Sequence, residues 1–228
     1  MNSSILSFPE RGPWGDSSYH GNCSGHIIRT ILDLYKPDLF IDPAQGSGTS
    51  GDVARAMNIR YLGFDLKEGF DLLNDSLLDA TGEPAELAFF HPPYHDVVQY
   101  SGHVWGTERS PNDLSNCTTY REFIAKLKTA CFNIWRAVAE GGRLAILIGD
   151  IRKRGMYLSP QAHIQHFGMK WLEGILIKEQ HNTRSSSKQY SGRFIPIMHE
   201  YLLVFRKESS EYKTFQIRRK QCSRKAQT

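Results

Sequence analysis

Between residues 38 and 58 three pieces of local chemistry follow one another without a spacer: a short apolar run, DLFID, a small-residue loop, PAQGSG, and TSGDVARAMN, which has helical character. No other stretch restricts the fold as much. A buried apolar run that turns straight into a helix opens a β–α unit. Such units stack their strands in parallel, so the loop is expected at the carboxyl ends of the strands, where open α/β sheets carry their sites. Its glycines allow a tight turn and close approach of a ligand to the backbone. The helix behind it offers free N–H groups to an anionic or carboxylate group. The spacing is not GxGxxG and no Lys follows, so a dinucleotide or nucleoside triphosphate has little support.

The flanking sequence extends this pattern. Residues 1–21, rich in Gly, Pro and Ser, predict an extended entry segment. A helix is expected over 22–35, with Ile27, Ile28, Ile31, Leu32 and Leu34 on its apolar face, Ser24 as N-cap and Pro37 as stop. RYLGFDL (60–66) and ELAFF (86–90) predict a second and third strand. A long amphipathic helix is expected over about 119–139, ended by Gly141-Gly142, with a buried strand at 143–150. SPQAHIQHFG (159–168) begins with a Ser cap and a first-turn Pro. The strands WLEGILIKEQ (171–180) and HEYLLVFRK (199–207) have no helix between them, so antiparallel pairing at a sheet edge is expected. These elements give an α/β domain over 22–207 with a largely parallel sheet and helices on both faces, followed by a basic tail at 208–228.

At 228 residues the chain is long enough for one sizeable core and short for two. With 40% hydrophobic and 23% charged residues it is ordinary for a soluble globular domain, and its longest apolar runs, such as LAILI, are too short for a membrane span. The start, MNSSILSFPERGPWGD, lacks a secretory pattern, and Cys23, Cys117, Cys131 and Cys222 lie far apart with no CxxC pair. Both features predict a reducing cytoplasm with neither a disulfide scaffold nor a Cys-rich zinc site. Charge is uneven: residues 182–228 carry 11 Lys/Arg against 3 Asp/Glu. That balance fits a polyanion partner on one face, or a solubilising tail.

Two further features lie where strands should end. Asp65, closing the second strand, can accept both ribose hydroxyls of a nucleoside, or merely cap a helix. His91-Pro92-Pro93-Tyr94 closes the third. Two prolines there stop the ladder and leave a rigid turn lined by carbonyl groups, with an aromatic ring behind it.

Asp42-Pro43-Ala44-Gln45-Gly46-Ser47-Gly48-Thr49 followed by His91-Pro92-Pro93-Tyr94 resembles the S-adenosylmethionine-dependent amino-methyltransferases of DNA, whose motifs are DPFxGSGT and (D/N/S)PP(Y/F/W). The resemblance covers about residues 20–207 and implies a Rossmann-like methyltransferase fold, a mostly parallel seven-stranded sheet with an antiparallel edge strand. A strand near Phe70-Asp71-Leu72 is then needed to complete the sheet. S-adenosylmethionine is the implied cofactor. Asn22, Cys23 and Ser24 would hold its methionine end, and Asp42, Pro43, Ala44, Gly46, Ser47, Gly48 and Thr49 would form the glycine loop around it. Asp65 and Leu66 would follow at the ribose, and either Asp71 or Asp75 at the adenine. His91 departs from the family, where Asp, Asn or Ser stands, and no large target-recognition domain is present.

The reaction implied is methyl transfer to an exocyclic amine of a flipped base, adenine N6 first and cytosine N4 as the alternative. The amine lone pair is delocalised into the ring, so accepting its hydrogens, at the Pro92 carbonyl and the His91 side chain, frees it for attack. Tyr94 would stack on the base. Only a neutral imidazole accepts, so turnover is expected to fall as His91 protonates, near its ordinary pKa of about 6.5. No metal is expected: His91 and His95 straddle two prolines, and no HExxH pattern occurs. DNA contacts are expected from the loops 95–118, with Tyr100, Trp105 and Arg109, and 181–197, with Arg184, Lys188 and Arg193. The partner implied is DNA, with no membrane, and the resemblance leaves room for a homodimer. RNA base methylation, protein glutamine methylation and an inert cofactor-binding nucleic-acid binder stay open as rivals.

Overall fold

The structure, a computed structural model, describes residues 3–181 and 195–208. Its strands are β1 (Ile5–Leu6), β2 (Leu39–Asp42), β3 (Arg60–Gly63), β4 (Ala85–Phe90), β5 (Val138–Ile148), β6 (Ile151–Lys153), β7 (Met156–Leu158), β8 (Leu172–Glu179) and β9 (His199–Arg206). Its helices are α1 (Gly25–Tyr35), α2 (Thr49–Ala56), α3 (Leu77–Thr81), α4 (Tyr120–Ala137) and α5 (Pro160–Gly168). Seven strands form one sheet in the order β1-β8-β9-β5-β4-β2-β3, and β6 and β7 form a separate hairpin. Strands β2, β3, β4 and β5 pair in parallel, so their carboxyl ends share one edge of the sheet.

Side chains alternate across this sheet with the period of two that a pleated strand requires. Phe40, Leu87, Phe89, Ala145, Leu147, Leu202 and Val204 face α1, with Ile27, Ile28, Ile31 and Leu32, and α2, with Val53 and Ala54. Leu39, Ile41, Ala88, Phe90, Leu144, Ile146, Ile148, Leu203 and Phe205 face the other way, onto Leu77 of α3, Phe123, Leu127 and Ile134 of α4, and Ile164 of α5. The central strands are therefore apolar on both faces, as a sheet covered twice by helices must be. Burying each of these large side chains stabilises the fold by about 1.5–3 kcal/mol.

Local signals set most helix ends. Ser24 Oγ accepts the His26 N–H at 3.3 Å, and Lys36, left-handed at φ 46°, closes α1 just before Pro37. Thr119 caps α4 through the Glu122 N–H at 3.1 Å, while the Glu122 carboxylate reaches back to the Thr118 N–H at 3.0 Å.

The seven-stranded, mostly parallel α/β sheet is as expected, with local differences. Residues 70–72 form no strand but lead into the turn 72–74, because the Asp71 carboxylate turns the chain by accepting the Leu73 N–H and the Asp75 carboxylate accepts the Asp71 N–H. The seventh strand is instead β1, inside the expected extended entry segment, which pairs in parallel with β8 at Ile5↔Ile177 and Leu6↔Lys178. The reversed strand, β9, is not at the edge: it pairs antiparallel with both β5 and β8, and β8 and β1 lie outside it. Gly141-Gly142 does not end α4. The helix stops at Ala137, β5 starts at once, and the glycines form a bulge between Val138, opposite Ala85, and Arg143, opposite Leu87. Gly141 takes φ 80° there and its N–H donates to the Lys207 carbonyl. No helix among the described residues is long and apolar enough to cross a membrane.

Candidate active site

Strands β2 and β4 are neighbours, and the glycine loop and the His-Pro-Pro-Tyr turn leave their adjacent carboxyl ends. Both corners open into one cleft. Its walls include Asn22, Cys23, Asp42, Pro43, Ala44, Gly46, Ser47, Thr49, Asp65, Leu66, Asp71, His91, Pro93, Tyr100 and Trp105, all singled out from sequence. Ser24, Gly48, Asp75, Pro92, Tyr94 and Arg109 are not among its lining residues.

The glycine loop is stitched from within. Asp42 is buried; its carboxylate accepts the Ala44 N–H at 3.0 Å and the Ser50 hydroxyl at 2.5 Å. Burial pushes its pKa up to about 7 against the lowering effect of those two bonds. Asp65 accepts the Gly46 N–H at 2.8 Å and the Lys67 N–H at 3.1 Å, so it braces the loop and caps the helical turn Leu66–Glu68. Lys67 reaches the Gly46 carbonyl. Gly46 and Gly48 stand at φ 54° and 82°, conformations that side-chain-bearing residues adopt only with strain. Ser47 Oγ is buried with no partner among the described residues, in a loop that lines the cleft.

The entry segment folds against this loop. Asn22 accepts the Thr49 hydroxyl at 2.5 Å and donates to the Asp16 carbonyl at 2.7 Å. Tyr19 stacks on Tyr100, with ring centroids 6.1 Å apart. Cys23 lines the cleft, but burial pushes its thiol up to about 12, so it stays protonated. Ser24 serves α1 as its cap. Asp71, not Asp75, reaches the cleft; Asp71 also accepts the Asn112 amide at 2.5 Å, while Asp75 holds the Asp71 backbone.

The turn after β4 differs most from expectation. Tyr94 is not among the residues that line the cleft. Its hydroxyl donates to Glu200 Oε1 at 2.6 Å and lies 3.0 Å from His91 Nε2, and its ring packs beside Gly149. Glu200 Oε2 takes the Lys178 ammonium at 2.6 Å. Lys178 and Glu200 face each other in register on β8 and β9. Burial raises the Glu200 carboxyl, but Lys178, His91 and the Lys178 and Tyr94 hydrogen bonds outweigh it and hold its pKa below the usual range. Burial drives His91 down to about 4, Glu200 opposing and Lys178 reinforcing the shift. The expected protonation near 6.5 is thereby corrected: this imidazole is neutral throughout the physiological range. Pro92 is buried and Pro93 lines the cleft.

The segment 95–118 is organised around Asp113, buried, whose carboxylate accepts four short bonds of 2.7–2.8 Å from the N–H and hydroxyl groups of Ser101 and Ser115. It delivers Tyr100 and Trp105 to the cleft; Arg109 is exposed outside it. Arg184, Lys188 and Arg193, most of the loop 181–197, and the tail from residue 209 on lie outside the described residues. Among the described residues no group of three His, Cys, Asp or Glu is placed to hold a metal.

Sequence reasoning missed Glu200, Lys178, Tyr19, Phe70 and Asp113 as residues of the site, and named Asn112 only as a nucleic-acid contact. One signal was present for the first: a lone acid inside the apolar strand HEYLLVF. Lys178 becomes meaningful only once the β8–β9 register is known.

No family model matches the sequence, and no curated protein does either. Among solved structures, the chain resembles a protein of Thermus thermophilus provisionally assigned as a DNA modification methylase, in complex with S-adenosyl-L-methionine. The identity is 22% over 61% of this chain and 54% of that one, with a TM-score of 0.41. An rRNA methylase of Streptococcus thermophilus matches at 13% identity over 81% of this chain and 96% of that one, TM-score 0.46. Human N-acetylserotonin methyltransferase matches at 13% identity over 81% and 52%, TM-score 0.44. This chain spans about half the length of the methylase from Thermus thermophilus. Similarity at this level decides nothing about its chemistry.

Proposed function

We propose that the chain binds S-adenosylmethionine in the glycine-loop cleft and methylates an exocyclic amine of a DNA base, adenine N6 first. The observation that carries this reading is the shared cleft: the loop after β2 and the turn after β4 leave neighbouring parallel strands and face the same space. The residues fit the cofactor. Gly46 and Gly48 keep the loop backbone bare, and the orphaned Ser47 hydroxyl lacks a partner that a polar ligand provides. Asn22 and Asp65 flank the loop on either side, and Asp71, Phe70 and Leu72 line the cleft beyond it. Bound there, the cofactor supplies a methyl group on a positively charged sulfur that departs as a neutral thioether.

The chain's own residues then position the acceptor. His91, neutral, accepts a hydrogen bond from the amine and thereby loosens its lone pair from the ring. The proton that the methylated amine sheds can pass through this nitrogen to solvent, since an imidazole driven down to about 4 does not keep it. Because the Tyr94 hydroxyl is tied to Glu200 and its ring is not among the lining of the cleft, the stacking surface for a flipped base falls to aromatic rings that do line it, Tyr100 and Trp105 among them. A basic hairpin agrees with a polyanionic acceptor: β6 and β7 bring Arg152, Lys153 and Arg154 beside the exposed Met156 and Tyr157. Lys153 pairs with Asp96, which ties the hairpin to the segment just after the turn.

The test is transfer of a tritiated methyl group from S-adenosylmethionine to DNA, RNA and protein in parallel, followed by mass spectrometry of the digested bases. Label in DNA as N6-methyladenine is the expected result. N4-methylcytosine would move the acceptor, label confined to RNA or protein would move the substrate class, and no label with the cofactor bound would end the enzymatic reading.

A further inference from the structure

We infer that Lys178, Glu200 and Tyr94 form a hydrogen-bonded chain that fixes His91 as the tautomer with a proton on Nε2 and a bare, accepting Nδ1. The inference deepens the proposed function and rests on it for its purpose, because it names the atom that meets the acceptor amine and the residues that hold it ready.

The protons along the chain leave one arrangement. The Lys178 ammonium donates to Glu200 Oε2 at 2.6 Å, and lies opposite it in the β8–β9 register. Glu200 is buried at 7% exposure and, beside that ammonium, is ionised, so its carboxylate only accepts. Tyr94 has a single hydroxyl proton, and 2.6 Å between Tyr94 Oη and Glu200 Oε1 is the length of a hydroxyl donating to a carboxylate. The Tyr94 proton is therefore committed to Glu200. What faces His91 Nε2, at 3.0 Å, is a phenol oxygen with only lone pairs left. Two acceptors cannot share that contact, so Nε2 must carry the proton. A neutral imidazole has one N–H, and Nδ1 is left with its lone pair on a side chain that lines the cleft. Glu200 and Lys178 touch neither cofactor nor acceptor in this scheme; they are positioning residues, and Tyr94 transmits their effect. A side-chain hydroxyl at the fourth place of the turn is needed for this, which the sequence supplies as Tyr rather than Phe or Trp.

The chain makes a specific demand when cut. In Glu200→Gln the amide keeps its oxygen towards Lys178 and turns its NH₂ to Tyr94, so the Tyr94 hydroxyl is released to donate to His91 Nε2. The tautomer inverts to Nδ1–H, which presents a donor where an acceptor is needed. In Tyr94→Phe the contact is lost, and neither tautomer is enforced.

The experiment is nitrogen-15 NMR of histidine-labelled full-length protein at pH 7, which separates protonated from bare ring nitrogens without cofactor or acceptor. The wild type is expected to show His91 with Nε2–H and bare Nδ1, Glu200→Gln with the reverse, and Tyr94→Phe with a mixture. A wild-type Nδ1–H tautomer, or an Nε2–H tautomer unchanged in both variants, overturns the inference. If methyl transfer is measurable, Glu200→Gln should lower kcat by about 10²-fold while the cofactor Kd moves less than about twofold. A chain with the expected tautomers and no transfer would refute the proposed function and leave this inference standing. The reverse result would do the opposite.

Discussion

Replacing His91 by Gln while titrating stability gives the sharpest readout of this part-buried imidazole. The unfolded chain takes up a proton on His91 near pH 6.5, whereas the folded chain holds out until about pH 4. Between those values the unfolded state binds more protons, so stability is fully present above pH 6.5 and drains away as pH falls through the window. A gap of about 2.5 pKa units at about 1.4 kcal/mol each makes the full loss about 3.5 kcal/mol, of which about 3 kcal/mol is reached by pH 4. The groups packed around the ring, Glu200 on β9, Lys178 on β8 and the Tyr94 phenol, are the same in both proteins. Asp42 works in the opposite sense: its carboxyl is raised to about 7, so it favours the folded state as pH falls over much the same range, by about as much or more, and hides His91 when the wild type is titrated by itself. The difference between wild type and His91→Gln removes that contribution. Urea unfolding of both proteins from pH 7.5 to pH 4 is the assay. The free-energy difference, wild type minus variant, should fall by about 3 kcal/mol across the series. Parallel curves would refute the claim that the fold keeps this imidazole neutral.

Other perturbations have distinct outcomes. Asp42→Asn keeps an acceptor for the Ala44 N–H and removes a buried charge, so it should stabilise the protein by on the order of 1 kcal/mol at pH 8 and have little effect at pH 5, seen in the unfolding midpoint. Ser24→Ala should cost about 1 kcal/mol of stability through the lost cap on α1 and leave the cofactor Kd unchanged by calorimetry. Asp113→Ala strands four donors of Ser101 and Ser115, so amides of 99–116 should lose hydrogen-exchange protection while those of β5 keep theirs.

The parts of the molecule governed by local chemistry were legible in the sequence. DLFID and PAQGSG could hardly be anything but a strand and a turn, and α1 and α4 carry caps and apolar faces that specify them alone. What escaped depended on contacts far apart in the chain. A two-residue strand such as Ile5–Leu6 has no periodicity, and its existence rests on β8 at residues 177 and 178. The glycines 141 and 142 look like a helix stop but act as a bulge, because Lys207, remote in sequence, pairs with their backbone. At the site, the sequence identified the turn but not the anchor of Tyr94: the carboxylate that accepts its hydroxyl lies 106 residues away.

The proposed function requires that a methyl donor in the glycine-loop cleft face the turn after β4. The most direct measurement is the nuclear Overhauser effect from the methyl group of carbon-13-methyl-labelled S-adenosylmethionine bound to the full-length protein. Effects to the His91 ring protons, abolished by excess unlabelled S-adenosylhomocysteine, are the predicted result. A bound methyl group whose effects map to residues away from His91 and Pro93 would contradict the claim.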